Sequence, residues 1–150
     1  MLTDNQQIRT FSEEREAIET RFGNLFDTFT TPVQYGNLSI LKKGNQSIPT
    51  PYKGDAFVRL QMIGGPTQQQ EVNRNITTIN GNISVTIFVA QDLGTQSART
   101  LLDEVFPIFN ATKFNGITTG PATVRELPPN NGWYSINLSI PYKWYHCIPA

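Results

Sequence analysis

The chain predicts an α+β fold in which two main helices pack on a mixed or antiparallel sheet of about five strands, in the order α-β-β-β-α-β-β. Three patterns lead there. Ile83, Val85, Ile87 and Val89 alternate with Ser84, Thr86, Phe88 and Ala90, and Tyr134 to Trp144 repeats that two-residue period of a strand. Ala98, Leu101, Leu102, Val105, Phe106 and Phe109 instead recur every three to four residues, as one buried face of a helix requires. Asn80-Gly81 between apolar runs is the strongest short-range hairpin signal, because both central positions of a type I′ turn take positive φ.

Taken in order, residues 4–29 read as the first helix, with Asp4 or Ser12 as N-cap and Glu13, Glu14 and Glu16 favouring its early turns. Ile8, Phe11, Ile18, Phe22, Leu25 and Phe29 form its stripe; Arg15 interrupts it, so the residues before Ser12 are alternatively a separate turn or an arm to another subunit. Thr30-Thr31-Pro32 ends the helix, because the residue before proline is pushed out of the α region. Residues 32–41 read as extended chain, and residues 42–54, with two glycines, two prolines and no period, as a long exposed loop. A strand over 55–63 stops at Gly64-Gly65-Pro66, and Gln68-Gln69-Gln70 belongs to a polar tip leading into a strand at 72–79. After the second helix, which starts near Thr95, Asn115-Gly116 and Gly120-Pro121 bracket a short connection. Residues 123–127 form a strand, 128–132 a turn, and 134–144 the last long strand, where Pro141 argues for an edge position or a bulge. The chain shows no internal repeat.

At 150 residues the sequence reads as one domain, long enough to bury about 68–70% of the surface its unfolded chain exposes. The single cysteine, Cys147, provides neither a disulfide framework nor a zinc site, which fits a reducing compartment or indifference to redox. No apolar leader and no run of the roughly 18–20 apolar residues needed to cross a bilayer is present, so a soluble protein made in a cytoplasm is expected. Twelve basic side chains balance twelve acidic ones, so there is no global field to gather nucleic acid or anionic lipid. Asn, Gln, Ser and Thr are abundant; such groups suit a surface that other protein covers without desolvating charge, and equally a plain polar exterior.

Catalysis needs convergent groups, and His146 is the only histidine. His146 and Cys147 are adjacent on an extended chain and point to opposite faces, a poor geometry for a dyad. The pairs Glu13-Glu14 and Asp103-Glu104 fall on helices otherwise patterned for solvent on that side. Gly64-Gly65-Pro66 lacks the lysine and hydroxyl of a nucleotide-binding loop, and Asp92-Leu93-Gly94-Thr95 is explained by helix capping. Tyr142-Lys143-Trp144-Tyr145-His146 interleaves aromatic and basic side chains, as a single-strand-binding platform does. Tyr142 and Trp144 share the core face of Ile140, however, which leaves Lys143 and Tyr145 outward. No catalytic residue, cofactor or metal is assigned, and no enzymatic activity is expected.

Several segments together resemble the tail terminator (tail completion) proteins of long-tailed bacteriophages. They are the opening helix from Arg15, Pro32-Val33-Gln34-Tyr35-Gly36-Asn37, Asp55-Ala56-Phe57-Val58-Arg59-Leu60, the strand from Ile83 to Val89, residues 94–109, and the ending Trp133-Tyr134-Ser135-Ile136-Asn137-Leu138-Ser139-Ile140-Pro141-Tyr142. The likeness lies in element order, size and scattered aromatics, and runs from the first helix to His146; the loop over 42–54 and the tip over 64–70 depart from it in detail. The resemblance implies a structural virion protein, assembled in the host cytoplasm, forming a hexameric ring at the head-proximal end of the tail tube. It implies as partners the tube protein, a neck or head-completion protein, and genomic DNA passing through the lumen without sequence recognition, with no membrane. Within it, Phe57, Arg59 and Tyr145 are candidates for the subunit interface, and Lys42, Lys43, Lys53, Gln68, Gln69 and Gln70 for contact with tube or neck. The alternatives are another neck, head-completion or minor tail protein, or a small nucleic-acid-contacting adaptor; a tail hydrolase lacks a recognisable acid and base pair.

Overall fold

The computed structural model describes residues 6–28, 30–36, 40–49, 54–71, 76–93 and 95–147; at 40, 49, 65–71, 93 and 147 it describes the backbone. Helix α1 (Phe11–Leu25) is followed by β1 (Val33–Tyr35), β2 (Ile40–Lys43), β3 (Gln46–Pro49), β4 (Ala56–Glu71) and β5 (Ile76–Ala90). A 3-10 turn at Gln91–Leu93 leads into α2 (Thr95–Phe109), then β6 (Lys113–Phe114), β7 (Ile117–Thr119), β8 (Thr123–Asn130) and β9 (Trp133–Cys147). All nine described strands join one mixed sheet in the order β3-β2-β1-β4-β5-β9-β7-β6, with β8 also on β9. Only β1 with β4 is parallel. The expected sheet of about five strands in the order α-β-β-β-α-β-β is therefore corrected to nine strands, five before α2 and four after it. Strands of two to four residues, such as β2, β3, β6 and β7, are too short to display a period and take their place from hydrogen bonds to neighbours.

Both helices lie on one face of this sheet. Ile18 and Phe22 of α1, Val105 and Phe109 of α2, Val58 and Leu60 of β4, Ile83, Val85 and Ile87 of β5, and Ile136, Leu138 and Ile140 of β9 are almost fully buried in a single cluster. Each such side chain contributes about 1.5–3 kcal/mol of burial. Arg21 ties the helices together, donating from Nε to the Ile108 carbonyl at 2.7 Å near the C-terminal end of α2, where a cation is favoured. The α1 N-cap is Thr10, whose hydroxyl accepts from the Glu13 amide at 3.1 Å. Ser12 lies inside the helix, Asp4 falls outside the described residues, and α1 ends at Leu25, well before Pro32.

Three expected turns differ. β5 runs straight through Asn80-Gly81, paired on both sides to Ala90. Gly81 serves as clearance: a Cβ there would meet the Tyr142 hydroxyl and ring at 2.6–2.8 Å. Gly64-Gly65-Pro66 does not end β4, because Gly65 and Pro66 stand together opposite Asn80 as a bulge, which tolerates the missing proline donor, and the strand continues to Glu71. The stretch over 42–54 carries the end of β2 and all of β3, joined by a tight turn with Gly44 at φ 61°. Asn-Gly turns do occur at Asn115-Gly116, between β6 and β7, and at Asn131-Gly132, between β8 and β9, with positive φ at all four residues.

Pro141 is not on an edge strand. β9 is flanked by β5 along its length and, on its other side, by β8 over 135–139 and β7 over 142–143. The Pro141 carbonyl accepts from Gly120 on that second side, so its missing donor falls where the neighbour changes from β8 to β7.

Candidate interaction surface

The sheet face opposite the helices is uncovered among the described residues, and its register aligns side chains in rows across the strands. Gln34 of β1, Arg59 of β4, Thr86 of β5, Asn137 of β9 and Arg125 of β8 form one row. Gln61, Ser84, Ser139 and Thr123 form the next. The rows are cross-linked: Asn137 Nδ2 donates to Ser84 Oγ at 2.9 Å and Thr86 Oγ1 at 3.0 Å, and Arg59 Nε donates to Gln34 Oε1 at 3.0 Å. The Arg59 guanidinium also lies 5.0 Å from the centre of the Phe88 ring, a cation–π contact. These bonds preset the polar groups, so covering them requires little further ordering.

Phe57 and Arg59 do point away from the core, as their alternation with Val58 and Leu60 requires, but their surroundings differ. Phe57 is buried, stacked on Phe88 at 4.6 Å and edge-on to Trp133 at 5.1 Å, so its ring is committed within the chain. Arg59 is half-buried, while Tyr145 stands 45% exposed on the same face. Lys143 pairs in register with Thr118, and Thr118 with Lys113, extending the face to the far edge of the sheet. A depression of about 250 Å³ lies between Asn80, Thr118, Pro141 and Lys143.

The candidates for tube or neck contact lie toward the other edge of the sheet, on β2 and the far part of β4. Lys42 and Lys43 sit on β2, with Lys42 Nζ donating to Ser47 Oγ at 2.9 Å. Gln68, Gln69 and Gln70 are in β4 and not at a loop tip; Gln68 and Gln69 pair with Thr78 and Thr77, and Gln70 is the extra residue of a second bulge. Lys53 lies outside the described residues. The β1 pairing with β4 stops at Leu60, so among the described residues β4 beyond it has a strand neighbour on one side only.

One polar group escaped the sequence reading. Glu14, expected in solvent, is buried and accepts hydrogen bonds from Tyr142 Oη at 2.8 Å and from Trp144 Nε1. Burial, together with the Glu14 hydrogen bond and charge, raises the Tyr142 phenol far above its ordinary value. A cavity of about 540 Å³ opens beside this trio, walled by α1 at Arg15 and Glu19 and by β4 over 60–64. Both carboxylate oxygens accept from β9, so the trio chiefly pins α1 across that strand. The signal was available, since Glu14, Ile18 and Phe22 are spaced by four and Ala17 lies three on, which continues the stripe through position 14. Phe11 extends the trio outward, edge-on to Trp144 at 5.5 Å and stacked on His146 at 6.0 Å. Among the described residues no three His, Cys, Asp or Glu side chains come together in a way that would hold a metal ion.

No protein-family model matches the chain, and no curated protein does. A solved structure whose name describes no activity is similar at a TM-score of 0.58 with 15% identity, over 94% of this chain and 100% of that one. At that identity the likeness concerns the fold alone.

Proposed function

We propose that the protein is a structural ring subunit of a phage virion, closing the head-proximal end of the tail tube and joining it to the neck. The observation that carries this reading is the uncovered sheet face: hydrogen-bonded amides and hydroxyls preset at its centre, which protein covers at low desolvation cost, with Arg59, Arg125 and Lys143 flanking them. The sequence resemblance to tail terminators supplies the setting. In this reading the β2–β3 hairpin, with Lys42 and Lys43, and the β4–β5 pair, with Gln68 to Gln70, reach the tube or neck. The adaptor alternative needs an exposed aromatic platform, and Trp144 and Tyr142 are buried at 1% and 4% exposure, which takes away two of its rings.

Native mass spectrometry over a wide concentration range, followed by incubation with purified tail tubes, tests the proposal. A discrete hexamer that arrests tube elongation supports it. A hexamer that leaves tube growth unchanged moves the protein to another neck or head-completion role, and a monomer that never binds tube ends removes it from the tail altogether.

A further inference from the structure

The two faces of the molecule carry opposite charge. Among the described side chains on the open sheet face from β4 to β9 the charged groups are cations, Arg59 on β4, Lys113 on β6, Arg125 on β8 and Lys143 on β9; among the described residues the one carboxylate whose backbone register falls on that face is Glu71, at the far end of β4. The helical layer is the reverse. α1 and α2 together hold six carboxylates against three guanidiniums, and of the six only Glu14 is turned inward, to Tyr142 and Trp144. Those three are engaged within the chain: Arg15 pairs with Glu19 at 3.2 Å, Arg21 binds the Ile108 carbonyl, and Arg99 pairs with Glu126. Asp103 and Glu104 of α2 remain exposed on the outer side of that layer. Within the net charge of zero, these strands thus carry an excess of cations and the two helices an excess of carboxylates, a pattern that composition hides.

We propose that the open sheet face of one copy seats on the outer face of the helical layer of a second copy, so that subunits join head to tail through unlike charge. This deepens the ring reading and rests on it, by naming which surfaces meet. The cationic face disfavours packing on its own copy, because like charges would be juxtaposed, which argues against a two-fold dimer through this surface. Contact between two different faces repeats in one direction and closes into a ring where the rotation permits. The extent is adequate: the four strands β4, β5, β9 and β8 at ~4.8 Å and ten residues at ~3.3 Å give a plate of roughly 600 Å² before side-chain relief, on the order of the ~800 Å² each partner gives to a standard interface. Arg59, Arg125 and Tyr145 belong to the residue types that dominate interface energetics, and Ile63, 55% exposed on the same face, adds apolar contact.

Changing the charge of one face at a time tests the proposal. Arg125→Glu/Lys143→Glu leaves the sheet face with two cations and two carboxylates and so cancels its positive charge, and Asp103→Lys/Glu104→Lys turns the helical excess of carboxylates into an excess of cations, so that both faces are basic; all four positions are exposed, and circular dichroism and melting verify the fold of each variant. By native mass spectrometry and sedimentation velocity, each variant alone should need at least tenfold more protein than the wild type to half-assemble. Mixing the two should restore assembly with strict one-to-one alternation, which misfolded protein cannot produce. If the wild type forms its ring and both variants form it equally well, the contact lies elsewhere and the ring reading survives without this proposal. A wild type that stays monomeric at every concentration overturns both. A monomer that binds a 30-base-pair DNA duplex, with binding lost in Arg125→Glu/Lys143→Glu, assigns the face to a polyanion and likewise overturns the proposal.

Discussion

Taking away the Glu14 carboxylate strands two buried donors, the Tyr142 hydroxyl and the Trp144 indole N–H. Glu14→Ala should therefore cost about 2–4 kcal/mol, the sum of unmade hydrogen bonds and a partly collapsed void. Urea denaturation measures it, and a loss below about 0.5 kcal/mol would mean that water replaces the carboxylate at no penalty. Tyr142 gives the same trio a pH signature. The phenol ionises near pH 10 in the unfolded chain and stays protonated in the folded one, where burial, then the Glu14 hydrogen bond and charge, raise its pKa. The unfolded state thus binds fewer protons above that pH, so this contribution is intact below about pH 10 and declines above it by up to ~1.4 kcal/mol per pH unit. Tyr142→Phe should decline less steeply between pH 10 and 11.5, and parallel curves would show that the phenol is not held as described. Gly81 makes room for the ring: an added methyl meets ring carbons at 2.7–2.8 Å, on a side chain fixed at its far end by Glu14. Gly81→Ala should cost about 1–3 kcal/mol by overpacking, visible as a lowered Tm with the fold retained.

At the scale of elements, β4 and β5 differ in how their backbones are satisfied. β5 is flanked on both sides, by β9 along its length and by β4 except at the bulge opposite Asn80, whereas β4 beyond Leu60 is paired on one side among the described residues. Val58 donates toward β1, so Met62, on the same parity, directs its N–H away from β5, and Gln61 and Ile63 direct theirs toward it. Hydrogen exchange in the isolated protein should show Met62 fast between slow Gln61 and Ile63, with β5 slow along its length; a protected Met62 amide would reveal a partner on that edge. α2 was legible in the sequence, its start expected near Thr95 and its stripe running to Phe109, because fifteen residues give that stripe four turns to declare itself. β9 was legible for the same reason at a period of two. The Asn80-Gly81 turn was misread although the parity argued against it. A two-residue hairpin puts positions 79 and 82 on one face, yet the buried residues Ile79, Ile83, Val85 and Ile87 keep odd numbers straight across the pair. At Asn115-Gly116 the parity does flip, Phe114 pairing with Ile117 and both buried. The same alternation placed Arg59, Lys143 and Tyr145 away from the core. What it does not contain is register, which brings Gln34, Arg59, Thr86, Asn137 and Arg125 from five strands into one row.

At the scale of the whole molecule, a neutral chain whose charges segregate by face is a plate with a dipole across it. Such a plate behaves differently from one whose charges are mixed. Individual exposed ion pairs give only about 0–1 kcal/mol each, so the sheet-face cations do not by themselves hold an assembly together. Their effect is orientation: they favour the head-to-tail arrangement and penalise the sheet-to-sheet one, while Tyr145, Ile63 and the amide rows supply contact area. Salt separates these contributions. The screening length falls from about 10 Å at 0.1 M to about 3 Å at 1 M, which removes the charge preference and leaves apolar contact unchanged or strengthened. Raising NaCl from 0.05 to 0.5 M should therefore increase the protein concentration for half-assembly by tenfold or more, and ammonium sulfate at matched ionic strength should do so less, because it favours apolar burial. Sedimentation velocity in the two salts distinguishes the cases. Equal loss in both would mean that charge alone sustains the contact, and no loss in either would place the interface on surfaces other than the two charged faces.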